Sequence, residues 1–309
     1  QDQGLERIAL ALKRARENLS RRIKDKLQLR AIMDRLIPDP EGAGAAHADV
    51  VIEAIFENLE AKHALLRQLD AVMKPDAVLA TNTSSLKLED LRTVLQRPER
   101  LVGIHFFNPV AMMPLVEVVA ADGGDPGMVQ AACAFVRQID KLPLPVKSEP
   151  GFLVNAVLAP YMLEAMRAVD EGISPETIDE AMLAFGMPMG PTERVDAVGL
   201  DIAVAAGKQL SGGAAAPHCL LARTDKGQLG KKTGQGFYAW SAGKAQKGGA
   251  GAPPAGLAAR LAKPLIDRAE QLVASGVVAD AELADAGVIF GTGFAPFTGG
   301  PLNYRRTEK

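Results

Sequence analysis

Over residues 5–36 apolar positions recur at helical spacing (Leu5, Ile8, Leu12, Leu19, Ile23, Leu27, Ile32, Leu36), with Arg and Lys between them, and Pro38 and Pro40 close the stretch. This predicts helix, broken once. Residues 48–55 (ADVVIEAI) form a short β-branched apolar run, followed by helical periodicity over 58–73 that stops before Pro75. Compact apolar runs return at 77–80 (AVLA), 101–106 (LVGIHF), 115–120 (LVEVVA) and 142–146, with helix-like stretches over 88–95 and 127–139. Strands alternating with helices predict a mainly parallel α/β sheet, doubly wound, over residues 1–149.

The pattern changes after Gly151. Residues 152–170, 175–185 and 194–210 all show helical periodicity, with no strand alternation. SAGKAQKGGAGAPP, at 241–254, is poor in bulky apolar residues and reads as a flexible linker. It divides an all-helical half into a first domain, 150–241, and a second, shorter unit, 255–309. The two look like copies: 171–191 can be laid on 275–301 with an offset of about 104, each preceded by an amphipathic helix and each carrying Phe-Gly before a Gly/Pro-rich turn. Chance likeness of two helix-turn-helix units is the other reading.

Composition narrows the field. At roughly 150 residues per domain, 309 residues suggest about two domains. Lys plus Arg number 35 against 37 for Asp plus Glu, so neither nucleic acid nor an anionic membrane surface is an expected partner. Cys133 and Cys219 build no disulfide framework, and neither sits in a cluster of metal-ligand spacing, so no metal is expected. No apolar stretch reaches the roughly 18 residues of a spanning helix. These features predict a soluble, cytoplasmic protein. Gln1 stands where a start Met would, without a signal pattern behind it, which reads as a cut inside a longer chain.

His105 carries the most chemistry for its position: it closes an apolar strand where the chain turns through Phe106, Phe107, Asn108 and Pro109. Ligands of open α/β sheets bind outside the carboxyl ends of strands. Glu117 lies inside another apolar run, where an unpaired carboxylate is costly, and a His/Glu pair would supply its partner while fixing the imidazole tautomer. On the residues alone, a structural histidine and a solvated glutamate on an edge strand remain open. Asn82, Thr83, Ser84 and Ser85 follow another strand and could bind a substrate oxygen or merely cap the helix from Leu88. Asn155 is a lone amide on an apolar helical stretch and needs partners. No GxGxxG occurs: GAGAAH at Gly42 precedes a strand and GTGFAP at Gly291 lies in the helical half.

GIHFFNPV (103–110), with NTSSL at 82–86, LVEVV at 115–119 and GFLVNAVL at 151–158, resembles the L-3-hydroxyacyl-CoA dehydrogenases. The resemblance extends to VIEAIFENLEAK (51–62), GKKTGQGFYAW (230–240) and the terminal GVIFGTGFAPFTGGP, and so covers nearly the whole sequence. It implies a Rossmann-like domain and NAD-dependent oxidation of the 3-hydroxyl of an (S)-3-hydroxyacyl-CoA in fatty acid β-oxidation. By the same resemblance His105 is the general base and Glu117 its orienting carboxylate; Ser84 and Asn155 hold the substrate oxygen. Asp2 (on the ribose), Ile55, Glu57, Lys62, Ser84, Asn108 and Lys232 contact the cofactor.

The doubled helical half is most similar to the dehydrogenase part of the multifunctional fatty-oxidation enzymes. That likeness implies an upstream enoyl-CoA hydratase domain, and a thiolase as a further partner. The family's first strand, glycine-rich loop and first helix are absent from these residues, so the expected sheet is truncated and lacks a central strand, with weak NAD+ binding and impaired turnover. A docking module of a β-oxidation complex, and a dehydrogenase of another 3-hydroxy acid, are the competing functions.

Overall fold

A computed structural model describes residues 1–210 and 215–307. The first helical stretch is indeed two helices, α1 (Leu5–Arg22) and α2 (Lys26–Met33). The break falls where Ile23 turns extended and the Asp25 carboxylate caps α2, accepting from the amides of Leu27 and Gln28 at 2.7 and 3.1 Å. The α/β part then runs β1 (Val50–Glu53), α3 (Leu59–Val72), β2 (Val78–Thr81), α4 (Leu88–Leu91), β3 (Leu101–Phe106), β4 (Leu115–Ala120), α5 (Pro126–Gln138) and β5 (Leu142–Lys147).

The five strands lie side by side in chain order. Each connection sets the next strand beside the last, and β1 is an edge strand. β1, β2 and β3 are parallel, β4 runs antiparallel to β3, and β5 is parallel to β4. The sheet is thus Rossmann-like and mainly parallel, with one reversal. That reversal matters for the site, because it pairs His105 directly with Glu117.

A helical C-terminal half follows: α6 (Val154–Asp170), α7 (Pro175–Phe185), α8 (Pro191–Val198), α9 (Leu200–Leu210) and α10 (His218–Thr224). The single helix expected over 194–210 is two, because Gly199 takes a φ of 113° that only glycine adopts without strain. Next comes a short antiparallel ribbon of β6 (Ala239–Ser241) and β7 (Lys244–Gln246), so the expected linker and the absence of strands in this half are both corrected. Ala242 and Gly243, both at positive φ, supply a tight turn. The segment beyond is pinned: Lys247 reaches Asp179 at 3.2 Å and Glu193 at 2.6 Å, and the Gly251 amide donates to Thr177 at 3.0 Å.

The chain ends in α11 (Leu257–Ala274), α12 (Ala281–Thr292) and α13 (Pro301–Thr307). α6 and α11 each carry an internal proline, Pro160 and Pro264. Asp179 on α7 accepts the first amides of α8, from Thr192 and Glu193, at 2.8 and 3.1 Å, and Asp285 on α12 accepts those of α13, from Leu302 and Asn303, at 2.7 and 3.1 Å. One hydrophobic core runs from Leu115 and Leu144 of the sheet through α6 into α11 and α12. The Lys147 amide also donates to the Val277 carbonyl at 2.9 Å, and Arg268 pairs with Glu149 at 3.0 Å. Among the described residues no helix is long and apolar enough to cross a membrane.

Candidate active site

Glu117 sits in the middle of β4, an interior strand, with no exposed surface. The solvated edge-strand alternative is therefore excluded. One carboxylate oxygen lies 2.7 Å from His105 Nδ1; the other accepts the amides of Leu153 and Val154, each at 2.9 Å. Those amides open α6, where unsatisfied N–H groups and the helix dipole favour a negative charge. The chain aims them by a sharp turn: Gly151 has a φ of 78° and Phe152 of 51°. Left-handed backbone is unfavourable for phenylalanine by about 1–2 kcal/mol, and the buried ring offsets this by packing edge-on to His105 at 5.5 Å. Phe107 packs edge-on at 4.6 Å on the same imidazole.

A carboxylate only accepts, so His105 Nδ1 donates and Nε2 carries the lone pair. The histidine is 5% exposed. Among the described residues no protein group bonds Nε2, which leaves it available as a base at the carboxyl end of β3.

The neighbouring strand end is built around Glu57. The Thr83 hydroxyl donates to this carboxylate, as do the amides of Ser84 and Ser85 at 3.1 and 3.2 Å and the Ser85 hydroxyl at 2.9 Å. Burial pushes the Glu57 carboxyl up, but these bonds and the charge of Lys62 outweigh it and hold the pKa below its ordinary value. The polar run does not cap α4, whose first amide is held instead by Ser148 Oγ at 3.1 Å; Thr83 Oγ1 closes its own turn on the Leu86 amide at 3.0 Å. Asn82 joins the two strand ends by accepting the Phe106 amide at 2.9 Å. The Ser84 hydroxyl and the half-buried Asn155 amide, one residue beyond Val154, bond no protein group among the described residues.

The structure thus brings His105, Glu117, Ser84 and Asn155 to one set of strand and helix ends. Ile55 and Glu57 follow β1 at the neighbouring end, and Asn108 is exposed on the turn after β3, before a cis peptide to Pro109. Lys62 is nearby but buried, its ammonium on Glu53 at 2.7 and 2.9 Å and on the Ile55 carbonyl at 3.2 Å. Two other positions stand apart. Lys232 binds both oxygens of Asp201 at 2.6 Å in the helical half, and Asp2 precedes α1, where it takes the Gly4 amide at 3.4 Å. Sequence reasoning missed Glu53 and Thr81, whose hydroxyl donates to Glu53 at 2.6 Å. The signal was there, since Glu53 interrupts an apolar β-branched run much as Glu117 does.

Residues 1–149 match the family described as 3-hydroxyacyl-CoA dehydrogenase, NAD binding domain, and residues 151–240 match its C-terminal domain. The crystal structure of (S)-3-hydroxybutyryl-CoA dehydrogenase from Ralstonia eutropha is similar at 32% identity and a TM-score of 0.73, covering 77% of this chain and 88% of that one. The chain belongs to the 3-hydroxyacyl-CoA dehydrogenase family. Another family structure, 3-hydroxybutyryl-CoA dehydrogenase from Escherichia coli K12, matches 99% of this chain and 85% of its own, with a TM-score of 0.85 and 26% identity. A curated relative, the fatty acid oxidation complex subunit alpha of Shewanella loihica, is 34% identical over 318 residues, 96% of this chain and 45% of that protein. The chain therefore spans about half the length of the curated relatives it matches.

Proposed function

We propose that these residues oxidise the 3-hydroxyl of an (S)-3-hydroxyacyl-CoA thioester to a ketone, as a step of fatty acid β-oxidation. The observation that carries this reading is the buried His105 to Glu117 bond with Nε2 left open. Glu117 holds the imidazole in the tautomer with a proton on Nδ1, so Nε2 removes the hydroxyl proton, and the carboxylate stabilises the imidazolium that results. The Ser84 hydroxyl and the Asn155 amide donate to the substrate oxygen as it becomes a carbonyl. Phe107 and Phe152 shield the imidazole from water and keep its ring plane fixed.

The carboxyl ends of β1 to β3 fit a nicotinamide dinucleotide in part. Ile55, Ser84 and Asn108 are placed to touch it, Glu57 shapes the turn beneath it, and Lys62 acts from inside, through Glu53 and Glu57. NAD+, when bound, supplies the hydride acceptor. Lys232 and Asp2 have partners of their own, and their assignment to the cofactor rests on the family resemblance alone.

We read these residues as the dehydrogenase part of a multifunctional enzyme whose hydratase domain lies upstream and whose partner is a thiolase, acting in the cytoplasm. The helical half is read as an internal duplication, supported by the paired prolines Pro160 and Pro264 and the paired caps Asp179 and Asp285. With no glycine-rich βα unit among the 309 residues, NAD+ binding by these residues alone is expected to be weak. A pure docking module has no need of a buried His/Glu pair with one nitrogen left free.

The test is NADH oxidation with acetoacetyl-CoA, run on this chain and on one extended upstream through a glycine-rich βα unit. The extended protein should turn over, and His105→Ala should lower kcat by roughly 10²- to 10⁴-fold. An extended protein that binds NADH yet reduces no thioester would overturn the assignment.

A further inference from the structure

Glycine is the poorest helix former after proline, yet α12 has two of them, Gly287 and Gly291, four apart on one face. A Cβ at Gly287 would fall 2.5 Å from Leu144 Cδ2 and 2.6 Å from Leu153 Cδ2. At Gly291 it would fall 2.4 Å from Val154 Cγ2 and 3.1 Å from Leu115 Cδ2. The four residues met share one relationship to Glu117. Leu115 stands on the same face of β4, Leu144 is its register partner on β5, and Leu153 and Val154 donate the amides that hold its carboxylate.

Helix α12 is itself fixed at both ends. Asp280 accepts the Leu283 amide at 2.8 Å, and Arg194 donates to the Thr292 carbonyl at 2.8 Å. Packed interiors transmit such a contact as displacement, since they have few voids to absorb it.

We propose that α12 is a backstop for the His105 to Glu117 pair, with Gly287 and Gly291 as positioning residues that set where the Leu153 and Val154 amides meet the carboxylate. The proposal rests on the reading of His105 as the base. The terminal helical unit, which contributes no side chain to the reacting atoms, thereby governs the orientation of the imidazole.

Histidine-selective ¹⁵N spectra of the 309-residue protein test this without turnover. The chain has four histidines, and His105→Ala assigns the relevant signals. The parent should show a single tautomer at His105, protonated on Nδ1, whereas Gly291→Ala and Gly287→Ala should each show a mixture. The double variant Gly291→Ala with Val154→Ala, which removes the two methyl groups nearest the new Cβ, should restore the single form. In the catalytically complete protein, Gly291→Ala should lower kcat about ten-fold with KM changed less than about two-fold, and the double variant should recover it. Should Gly291→Ala fail to fold, Gly287→Ala with and without the pair Leu144→Ala and Leu153→Ala supplies the same pair of readings. Unchanged spectra in the single variants, or a double variant that stays mixed, overturn the proposal. An upstream-extended protein with the single tautomer at His105 but no dehydrogenase activity overturns the functional reading instead, and leaves the backstop to the spectra.

Discussion

Lys62 and Glu53 form an ion pair sealed inside the sheet's edge, the lysine side chain 1% exposed and the carboxylate fully covered. Thr81, the Ile55 amide and the Ile55 carbonyl add further hydrogen bonds to the pair. Removing one partner of such a pair strands a buried charge, at about 3–5 kcal/mol. Lys62→Met should therefore lose that much stability in urea unfolding with no nucleotide present, and the double variant Glu53→Gln with Lys62→Met should regain most of it. If Lys62→Met unfolds like the parent, the lysine serves the cofactor and not the fold.

Glu117→Gln keeps the shape of the side chain and removes its charge. It can no longer stabilise an imidazolium at His105, so kcat in the upstream-extended protein should fall by about 10²-fold or more. KM for the thioester should move by less than about three-fold, since Glu117 is buried beneath the histidine. Steady-state kinetics with acetoacetyl-CoA separate the two effects.

Acid should loosen the turn at 83–86. The Glu57 carboxyl is held below its ordinary value of 4.5. A lowered pKa in the folded state means that the ionised group adds stability above pH 4.5 and that this stability is lost as pH falls through the lowered value. Glu57→Gln should thus be less stable than the parent at pH 7, and the two should converge as pH drops below 4.5. Parallel stability curves across that range would show that Glu57 is not coupled to folding.

Asp196 is fully buried on α8 and holds three donors: the amides of Phe237 and Tyr238 at 2.8 and 2.9 Å, and the Trp240 indole N–H at 3.0 Å. Asp196→Ala leaves them unpaired at about 1–3 kcal/mol each. Trp240 is the single tryptophan of the chain, so its emission should shift to the red with the loss of stability. An unshifted spectrum would mean that the turn is held by its glycines alone.

Much of this was legible from periodicity. Residues 101–106 and 115–120 were read as strands and are strands to the residue, because apolar runs bounded by turn residues leave little choice. The pairing of His105 with Glu117 was legible as a need, from an acid inside an apolar run, but not as a fact. It depends on β4 running backwards, which no local pattern encodes. The ribbon at 239–246 was hidden because its order comes from partners distant in sequence, Asp196 for the turn and Asp179 for Lys247, while its own composition is that of a linker. Gly291 resembles a nucleotide loop only in the spelling GTGFAP; its meaning, like that of Gly287, is steric and needs the neighbouring side chains to be seen.

Glu117 belongs to the sheet, and the amides that grip it belong to the helical half. The join between the two halves therefore runs through the proposed reaction centre itself. Cutting the chain near residue 150 would not yield two modules awaiting reassembly, since one half would carry an acid without its anchors and the other the anchors without an acid. Ancestral exchange of either half between relatives would have had to preserve this shared clasp, whatever else in the two surfaces was free to drift.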